Sequence, residues 1–596
     1  MISKNSTELL YTLWNSFSRK RRQHIVALLA MMVAASFAEI LSIGALLPFL
    51  GVITAPEKIF ANPFVRFISD SFGIYQPDQL LLPVTLIFGA AVLFAGIIRL
   101  ALSWATTRIT FSAGAELSIE IYRRTLYQPY ATHVARNSSE IIAGISSKTN
   151  DLIYNIMMPA LNLINACFML LAILMVLITV NAIVAISAIA GFGLIYFVVI
   201  TLTRHRLAIN SNVISRDSVL VFKCLQEGLG GIRDVLIDGT QETYCEIYSQ
   251  ADFTLRRAQG NNLFIALCPR YVVETIGMLL IAGLAFSLSR GESGINSAIP
   301  VLGALALGAQ RLLPVLQQAY AGWTSIRGNK GILLDVLNLL HQPLPEFTKF
   351  SSDSINFSKE ITIRNISFRY GSDLPLVLHD INLTIPKGSR IGFIGTTGSG
   401  KSTLIDIVMA LLDPSNGDLL VDDKKICLKN KQKWQEKIAH VPQTIFLADT
   451  TIEENIAFGV PRSNINHDLV RESARKAQLS ETIENWPKAY LTRVGERGIQ
   501  LSGGQRQRIG IARALYKKAE VIVFDEATSA LDMQSEVAVM RALDALDSNL
   551  TILIIAHRVS TLKNCDQIYE VKNGMVAWSG SYENIPDVSK NSDKKI

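Results

Sequence analysis

Six long runs of apolar residues within the first 340 positions constrain this chain more than any other feature. They lie at about 24–52, 80–104, 156–180, 182–202, 263–289 and 298–321. Each can cross the hydrocarbon core of a bilayer, which requires about 20 apolar residues in a helix. Buried helices of a soluble protein are the alternative, but soluble cores rarely supply six such runs. The sequence therefore predicts an all-α membrane domain over residues 1–340.

Composition agrees with a membrane protein and argues against a nucleic-acid partner. Apolar residues make up 49% of the chain and charged residues 18%, whereas average usage is about 25% charged. Basic residues are spread along the chain instead of forming one basic face, so binding to nucleic acid is not expected. The six cysteines show no metal-ligand spacing, and we expect free thiols.

The distribution of Lys and Arg orients the runs. Residues 19–22 read Arg-Lys-Arg-Arg directly before the first run, and further basic residues lie between the second and third runs and between the fourth and fifth. The positive-inside rule places these segments in the cytoplasm. We therefore expect a multi-pass protein of the plasma (inner) membrane with both termini in the cytoplasm.

Three connecting segments carry further expectations. The two cytoplasmic connections are too long for plain loops, so we expect the membrane helices to continue through them. Their tips, near residues 127–139 and 228–239, are predicted to contact the domain that follows. On the opposite side, residues 63–72 place aromatics at helical spacing, which indicates a short helix at the membrane interface. A solvated loop is the alternative there.

The chain changes character after residue 340. Residues 341–360 are a predicted linker, 361–585 an α/β domain, and 586–596 a polar tail. A phosphate-binding loop follows an apolar strand and opens a helix, and it consists of Gly395, Thr396, Thr397, Gly398, Ser399, Gly400, Lys401, Ser402 and Thr403. Its backbone N–H groups are predicted to wrap the phosphates of ATP, with Lys401 on the β- and γ-phosphates and the Ser402 hydroxyl on Mg²⁺.

Two adjacent carboxylates follow a second apolar strand. Residues 521–525 read Val-Ile-Val-Phe-Asp, so Asp525 stands where a magnesium-binding acid is expected beside a phosphate loop. Glu526 comes next and can polarise the attacking water as a general base. The alternative is that Glu526 is a surface residue after the strand with no catalytic role.

The pentapeptide Leu-Ser-Gly-Gly-Gln at 501–505 is the most discriminating motif. Here the sequence resembles the ABC ATPase family, whose signature is this pentapeptide. Ser502 and the amides of Gly503 and Gly504 can bind a γ-phosphate, and Gln505 completes the motif. In the family this signature binds the ATP held by the other subunit.

The resemblance also assigns roles to residues that are less specific alone. Tyr370 matches the aromatic residue that stacks on adenine. Gln443 matches the glutamine that contacts magnesium and water, and His557 matches the switch histidine near the γ-phosphate. Residues 495–498 match an exporter-type segment before the signature, and residues 529–532 match a loop that crosses the dimer interface.

The order of domains is similar to that of exporter half-transporters. The resemblance implies a type IV ABC exporter fold, in which six long transmembrane helices precede a P-loop ABC ATPase domain of α/β class. It further implies a homodimer that binds ATP and Mg²⁺ at two shared sites, both competent for hydrolysis. Binding and hydrolysis would then switch the membrane helices between inward and outward openings.

Ionisable residues within the apolar runs are the candidates for contact with substrate. They are Glu39, Arg99, Arg270, Glu274 and Arg311. Arg270 and Glu274 are four residues apart and can instead pair with each other. The stretches around Glu39, Arg270 and Arg311 resemble flippases of lipid-linked oligosaccharides. That resemblance implies an amphipathic, lipid-linked substrate whose pyrophosphate meets Arg270 and Arg311, and an aromatic external segment that holds its polyprenyl tail.

Three alternatives stay open at this point. An exporter of peptides, simple lipids or drugs would share every ATPase motif. A soluble ABC ATPase of DNA maintenance would need long coiled coils where this chain has apolar runs. An ATP-gated channel would show ATP-dependent conductance.

Overall fold

The chain divides into two units, and the first consists of helices. The computed structural model describes residues 6–54, 56–60, 65–66, 75–136, 138–180, 182–289, 294–344, 355–495, 498–526, 533–544, 547, 549–556 and 558–586. The first unit comprises Met1–Gln128 and Arg136–Leu344, and the second comprises Pro129–Ala135 and Pro345–Ile596. Most of the predicted interfacial segment at 63–72 lies outside the described residues.

Helices of 5 to 49 residues build the first unit. They are α1 (Ser6–Ser16), α2 (Arg19–Thr54), the short α3 (Pro56–Phe60), α4 (Leu81–Leu126), α6 (Ser138–Ile145), α7 (Ser147–Leu152), α8 (Met158–Val180), α9 (Ala182–Gly230), α10 (Ile232–Ile237), α11 (Gln241–Ser289), α12 (Gly294–Gly328) and α13 (Lys330–Leu340); α5 (Tyr130–Val134) groups with the second unit. A π-helical turn, Ile153–Met157, joins α7 to α8.

The predicted apolar runs fall in α2, α4, α8, α9, α11 and α12. Five stretches of the described residues are long and apolar enough to cross a bilayer, namely Arg19–Ser42, Pro77–Leu126, Ile141–Val176, Ala190–Gly230 and Gln241–Leu279. In α12, the side chains of residues 294–309 lie outside the described part. Several helices also continue far beyond the runs, since α4 extends to residue 126 and α9 to residue 230.

The apolar surface of α4 is exposed, as expected of a helix that faces lipid. Only 6% of its most apolar window is buried. Leu93, Phe94 and Leu100 are 69%, 54% and 74% exposed. Water-soluble monomers rarely expose apolar patches of more than a few hundred Å². The chain is therefore an integral membrane protein, and the alternative of buried soluble helices is excluded.

Apolar packing and one buried ion pair hold the ends of these helices together. Leu9 of α1 lies in one buried cluster with Leu333 of α13. Asp335 of α13 accepts hydrogen bonds at 2.5 Å from both Lys148 Nζ and Ser215 Oγ. These contacts connect α1, α7, α9 and α13 and place the polar side chains of α9 and α13 around a common space.

The second unit is built on two sheets. The strands are β1 (Glu360–Phe368), β2 (Leu378–Pro386), β3 (Arg390–Ile394), β4 (Asn416–Val421), β5 (Lys424–Lys425), β6 (Ile438–Val441), β7 (Val521–Asp525), β8 (Thr551–Ile555), β9 (Gln567–Lys572) and β10 (Met575–Gly580). The helices are α5, α14 (Lys401–Val408), α15 (Lys431–Glu436), α16 (Ile452–Ile456), α17 (His467–Lys476), α18 (Ser480–Glu484), α19 (Gly503–Tyr516) and α20 (Met533–Asp544).

Sheet topology brings the predicted ATP-binding segments to one edge. One sheet has the order β2-β1-β4-β5, and the other has the order β10-β9-β3-β8-β7-β6. Strands β9, β3, β8, β7 and β6 run parallel to their neighbours in this order, and β10 is antiparallel to β9. Ligands of such sheets bind at the carboxyl ends of the parallel strands. Both the phosphate loop after β3 and the acids after β7 lie at these ends.

Two separate hydrophobic clusters support these segments. The cluster under α14 contains Leu404 and Trp434, together with residues of β1, β2 and β4. The cluster under α19 contains Ile509 and Ile511, together with residues of β6, α16 and α17. The phosphate loop and the pentapeptide therefore rest on different cores within one chain.

Candidate functional site

The phosphate loop depends on glycines at positions that no other residue could occupy. Gly395 has φ of +145°, and a Cβ there would lie 2.1 Å from the carbonyl oxygen of Val571. Gly398 has φ of +80°, and nothing lies within 4 Å of an added Cβ. A substitution there would therefore strain the backbone without causing a steric clash. Glycine adopts these conformations without steric cost. The chain can thus curl between β3 and α14 and present its N–H groups to phosphate.

Lys401 is buried at the first position of α14 and is held inside the loop. Its Nζ donates hydrogen bonds to the carbonyl oxygens of Gly395 and Thr396 at 2.8 and 3.0 Å. Burial lowers the pKa of Lys401, while the nearby charges of Glu526 and Asp525 act in the opposite direction. The cation is therefore poorly hydrated, which strengthens its attraction to a bound phosphate.

Ser399 supplies a direct test of whether the loop suits a phosphate group. Its side chain is 4% exposed, and its Oγ has no hydrogen-bond partner within the described part of the chain. A buried hydroxyl without a partner costs about 1–3 kcal/mol. A phosphate oxygen in the loop would accept that hydrogen bond, so these residues fit a nucleotide.

The predicted adenine-stacking residue is tied to the same helix. Tyr370 follows β1, and its hydroxyl lies 3.0 Å from Oγ1 of Thr403. The ring also makes an edge contact with Phe368, with centroids 5.0 Å apart. Tyr370 is 49% exposed. The ring is thus fixed beside the phosphate loop with a face available for a base.

The two acids after β7 are held by an unusual backbone conformation. Asp525 is the last residue of β7, and Glu526 has φ of +51°. The Glu526 N–H donates to the carbonyl oxygen of Ile555 in β8 at 3.1 Å. Non-glycine residues in this region cost about 1–3 kcal/mol and cluster at active sites. The strain turns Glu526 out of the strand direction that Asp525 still follows.

Asp406 is a site residue that sequence reasoning missed. It lies in α14, one turn after Thr403, and burial together with the charge of Asp525 raises its pKa to about 6. Two carboxyl groups that interact in this way cannot both ionise freely. A pattern search does not find Asp406, because it belongs to no phosphate-loop motif.

The three residues predicted to bind magnesium all carry oxygen donors. Ser402 is exposed in the first turn of α14, and Gln443 is exposed after β6, where its backbone oxygen accepts a hydrogen bond from Gln507 at 3.0 Å. Asp525 supplies a carboxylate. Hydroxyl, amide and carboxylate oxygens are ligands that Mg²⁺ accepts. The residues therefore fit the ion.

The pentapeptide forms a helix cap. Ser502 is the N-cap of α19, where its Oγ accepts a hydrogen bond from the Gln505 N–H at 3.2 Å, and Gln505 Oε1 accepts from the Ser502 N–H at 2.9 Å. This arrangement is a capping box. Gly503 and Gly504 occupy the first turn, in which N–H groups lack intrahelical acceptors and can bind an anion. Gln505 therefore has a structural partner that the motif alone did not reveal.

Several residues implied by the family resemblance lie outside the described part of the chain. They are His557, residues 496–497 and the loop 529–532. Their roles stay predictions.

A turn that sequence reasoning passed over supports the phosphate loop. The β9–β10 turn contains Asn573 and Gly574, with φ of +49° and +75°. The Gly574 N–H donates to the carbonyl oxygen of Ser399 at 3.0 Å. The Asn-Gly dipeptide between two apolar strands is a strong hairpin signal and could have been found.

The charged residues of the apolar runs are paired where they are described. Arg270 Nε donates to Glu274 Oε1 at 2.7 Å, which is the pairing weighed above. Arg99 Nε lies 3.6 Å from Glu39 Oε2, and the Glu39 side chain is buried. The side chain of Arg311, in α12, is outside the described part. Pairing lowers the cost of placing these charges in a membrane.

A cavity among α8, α9, α11 and α12 is lined by uncharged polar side chains together with apolar ones such as Ile214 and Leu263. We call it the amide cavity; its volume is about 410 Å³. Its lining includes Asn155, Asn162, Gln259, Asn262, Gln318, Thr324, Ser325 and Asn329, with no Asp, Glu, Lys or Arg among the side chains that the structure describes. Thr324 is 1% exposed, and its Oγ1 has no hydrogen-bond partner among the described residues. Neither Arg270 nor Glu39 lines this cavity.

Comparison with known proteins agrees with both units. Residues 378–529 match the model of the ABC transporter family. The ATP-dependent lipid A-core flippase of Cupriavidus metallidurans is 25% identical over 591 residues, covering 97% of this chain and 94% of that protein. The Toxin RTX-I translocation ATP-binding protein of Actinobacillus pleuropneumoniae is 41% identical over 229 residues, covering 38% of this chain and 32% of that protein.

A solved structure extends the agreement to the whole fold. It is a bacterial Atm1-family ABC exporter with ATP bound, and it aligns with a TM-score of 0.75 at 22% identity over 96% of this chain and 97% of that chain. The predicted fold class, a helical membrane domain followed by an ABC ATPase domain, is thereby confirmed.

The fold and the nucleotide site together define an ATP-driven membrane transporter. The chain is an ABC half-transporter of the exporter type. Its second unit is an ABC ATPase domain that binds ATP, and its activity is ATP hydrolysis coupled to transport.

Proposed function

We propose that two copies of this chain form a flippase that moves a glycan-bearing lipid, such as a lipid-linked oligosaccharide, from the cytoplasmic to the outer leaflet. The amide cavity is the observation that carries this proposal. Sugar hydroxyl groups both donate and accept hydrogen bonds, and amide side chains offer both functions without charge. Its volume of about 410 Å³ lies in the range of about 300–1,000 Å³ that is usual for ligand pockets.

The hydrogen-bonding state of the cavity supports a ligand rich in hydroxyl groups. Asn210 Nδ2 donates to Asn262 Oδ1 at 2.7 Å, and Asn262 Nδ2 donates to the Gly328 carbonyl oxygen at 3.1 Å. The orphan hydroxyl of Thr324 is open to a further partner. The π-helical turn at Ile153–Met157 contributes Asn155 to the lining, and such turns are frequent at functional sites.

Similarity along the membrane half supports a lipid cargo. The relative from Cupriavidus metallidurans matches over nearly the whole chain and is named for a glycolipid, lipid A-core. The toxin translocation protein matches over only 38% of this chain. We also propose that Arg270, Arg311 and Glu39 act on the anionic linkage of the lipid. In that case a phosphate group would compete with Glu274 for Arg270, whose side chain is 52% exposed.

The ATPase residues divide the chemistry among themselves. The phosphates would be bound and oriented by Lys401, Ser399 and the N–H groups of the loop. Tyr370 would stack on the adenine. Ser402, Gln443 and Asp525 would hold Mg²⁺, which neutralises the charge that develops on the phosphates. Glu526 would accept a proton from the attacking water and orient it, with His557 near the γ-phosphate.

We infer a homodimer from the division of the site. The phosphate loop and Ser502 rest on different hydrophobic clusters, and in the ABC ATPase family the signature of one subunit binds the ATP held by the other, so a partner copy would bring Ser502 to the phosphate loop. ATP binding would close the two ATPase domains, and hydrolysis would separate them. The long helices α4, α9 and α11 would carry that change to the membrane as a rigid-body switch.

Cargo can be assigned by transport in vesicles of defined composition. Purified protein in proteoliposomes is tested with undecaprenyl-pyrophosphate oligosaccharide, lipid A-core glycolipid, undecaprenyl phosphate, a peptide and a drug. We expect the two glycolipids to stimulate ATPase activity and to reach the outer leaflet, while undecaprenyl phosphate without sugar does not. Selective stimulation by the peptide or drug supports the rival exporter, and ATP-dependent conductance in a planar bilayer supports the channel.

Variants then separate the sugar from its linkage. Asn162→Ala and Gln318→Ala should weaken the apparent affinity for glycolipid about tenfold or more. Asn165→Ala is the matched control, because Asn165 is also in α8 but does not line the cavity. Arg311→Ala should reduce transport of pyrophosphate-linked lipid. Equal effects of all three amide variants would contradict recognition of the glycan in this cavity.

A further inference from the structure

A second and larger cavity of the first unit is lined by cations. It lies among α1, α9, α12 and α13, its volume is about 1600 Å³, and we call it the basic cavity. Arg204, Arg327 and Lys330 line it, together with His205 and His341. Neither the proposed flippase cycle nor the nucleotide site uses these residues.

The charges of the basic cavity are not balanced by the protein. Within the described residues, none of Arg204, Arg327 and Lys330 makes an ion pair. Asp335 is the one carboxylate among the described lining residues, and its Oδ2 already accepts hydrogen bonds from Lys148 and Ser215. Three uncompensated cations around one space create a field that favours an anion.

The position of these cations matches the surface of a membrane. Predicted spans four and six end at residues 202 and 321, so Arg204 and Arg327 lie just beyond the hydrocarbon. Trp323 lies between the end of span six and Arg327 and also lines the cavity. Arg, Lys and Trp are the residues that mark the headgroup region.

Apolar side chains also form part of the wall of the basic cavity. Leu9, Ile200 and Leu334 belong to the lining. Leu9 lies on α1, where Leu13 is also buried while Tyr11 is 68% exposed, so α1 is amphipathic. A ligand that satisfies both the cations and these walls carries an anionic head on an apolar body.

We propose that the basic cavity binds the phosphate headgroup of an anionic membrane phospholipid. Arg204 and Arg327 would contact phosphate oxygens through their guanidinium groups, which suit phosphate geometry, and Lys330 would add a point charge. Arg327 and Lys330 flank the junction of α12 and α13, so a bound headgroup would hold that junction. This lipid is a bound ligand and not the cargo, and the proposal does not depend on the identity of the cargo.

Lipid binding can be measured on the full chain. The protein is reconstituted in nanodiscs of phosphatidylcholine alone or with about one-fifth phosphatidylglycerol, and lipids retained after release are counted by native mass spectrometry. We expect wild type to retain phosphatidylglycerol in preference to phosphatidylcholine. In a double variant, Arg204→Ala with Arg327→Ala, that preference should fall about tenfold or more.

Two further variants show whether the effect is specific. Arg206→Ala is the matched control, since Arg206 is an exposed cation next to this site that does not line the cavity. It should keep the preference. Arg204→Lys keeps the charge and should restore most of it, which excludes misfolding as the cause of the loss. Basal ATPase activity in phosphatidylcholine reports folding of each variant.

A soluble phosphate source gives a different result. Inorganic pyrophosphate is added to nanodiscs of phosphatidylcholine and to nanodiscs with phosphatidylglycerol, and thermal stability is followed. We expect phosphatidylglycerol to stabilise wild type and pyrophosphate to have little effect. Stabilisation by pyrophosphate alone, equal retention of both lipids, or equal losses in Arg206→Ala and the double variant would each overturn the proposal.

Discussion

The hydroxyl groups of Tyr370 and Thr403 lie 3.0 Å apart. The contact connects the segment after β1 with the first turn of the helix that follows the phosphate loop. The predicted adenine platform and the phosphate-binding segment are therefore positioned by one hydrogen bond in addition to the sheet. Tyr370 thus has two distinct parts: its hydroxyl contacts Thr403, and its ring is the predicted stacking surface for adenine.

Substitution of Tyr370 should distinguish those roles. Tyr370→Ala removes the stacking surface, which is worth about 1–3 kcal/mol per base, so the Kd for ATP should rise about tenfold or more. Tyr370→Phe keeps the ring and should raise the Kd about threefold or less. Binding of a fluorescent ATP analogue measures both. Equal Kd values for Tyr370→Ala and wild type would show that the ring does not stack on the base.

Replacement of Glu526 should stop turnover without preventing ATP binding. In Glu526→Gln the amide cannot accept the proton of the attacking water, and we expect ATPase activity to fall about 10²- to 10⁴-fold. Steady-state hydrolysis and nucleotide binding are measured on the same preparation. Glu520→Gln is the control, because Glu520 precedes β7 and pairs with Lys437 and Lys387. It should lose stability and keep its activity. Full hydrolysis in Glu526→Gln would contradict the assignment.

Two capping boxes of the ATPase domain allow a matched comparison at Ser502. Thr451 caps α16 with Glu454 in the same way that Ser502 caps α19 with Gln505. Ser502→Ala and Thr451→Ala should each cost about 1 kcal/mol of stability. Only Ser502→Ala should also lower turnover, by about tenfold, because Ser502 is proposed to bind the partner's ATP. If both variants hydrolyse ATP alike, the signature serine acts as a cap alone.

Asp406 should make the nucleotide-free protein less stable as the pH rises. Its pKa is raised to about 6 from 3.8 by burial and by Asp525. The native state therefore binds more protons than the unfolded state between pH 3.8 and 6, so its stability decreases across that window as pH increases. Asp406→Asn should be more stable than wild type at pH 7.5, by on the order of 1–3 kcal/mol, and should lose that advantage as the pH falls below 3.8.

The pKa of Asp422 is shifted in the opposite direction to that of Asp406. Thermal unfolding as a function of pH measures the stability of both variants. Burial alone would raise its pKa, but hydrogen bonds from the Ser358 side chain and from the N–H groups of Glu360, Lys359 and Ser358 lower it to about 2. Its stabilising effect is present above pH 3.8 and is lost as the pH falls towards 2. Asp422→Asn should therefore destabilise the protein at pH 7.5. The same sign for both variants at pH 7.5 would contradict the assigned shifts.

Motifs of fixed spacing were predictable, because local geometry determines them. A phosphate loop needs glycines where φ is positive, and Gly395 and Gly398 have such values. A predicted catalytic acid at the end of a buried strand needs only the strand, and Asp525 ends β7 while Glu526 follows it. The membrane-spanning runs were equally predictable, because a helix that crosses a bilayer requires about 20 consecutive apolar residues.

Sequence alone determined that this chain is a membrane protein with an ATPase domain of the ABC family, and it predicted which side chains bind the phosphates. Only tertiary structure decided what lies between the helices: the amides of the amide cavity come mainly from α8, α11 and α12, and Arg204 and Arg327 are separated by more than a hundred positions. The raised pKa of Asp406 likewise comes from Asp525. The physical reason is that electrostatic fields and cavities depend on distances in space, and helix packing sets those distances independently of any local spacing.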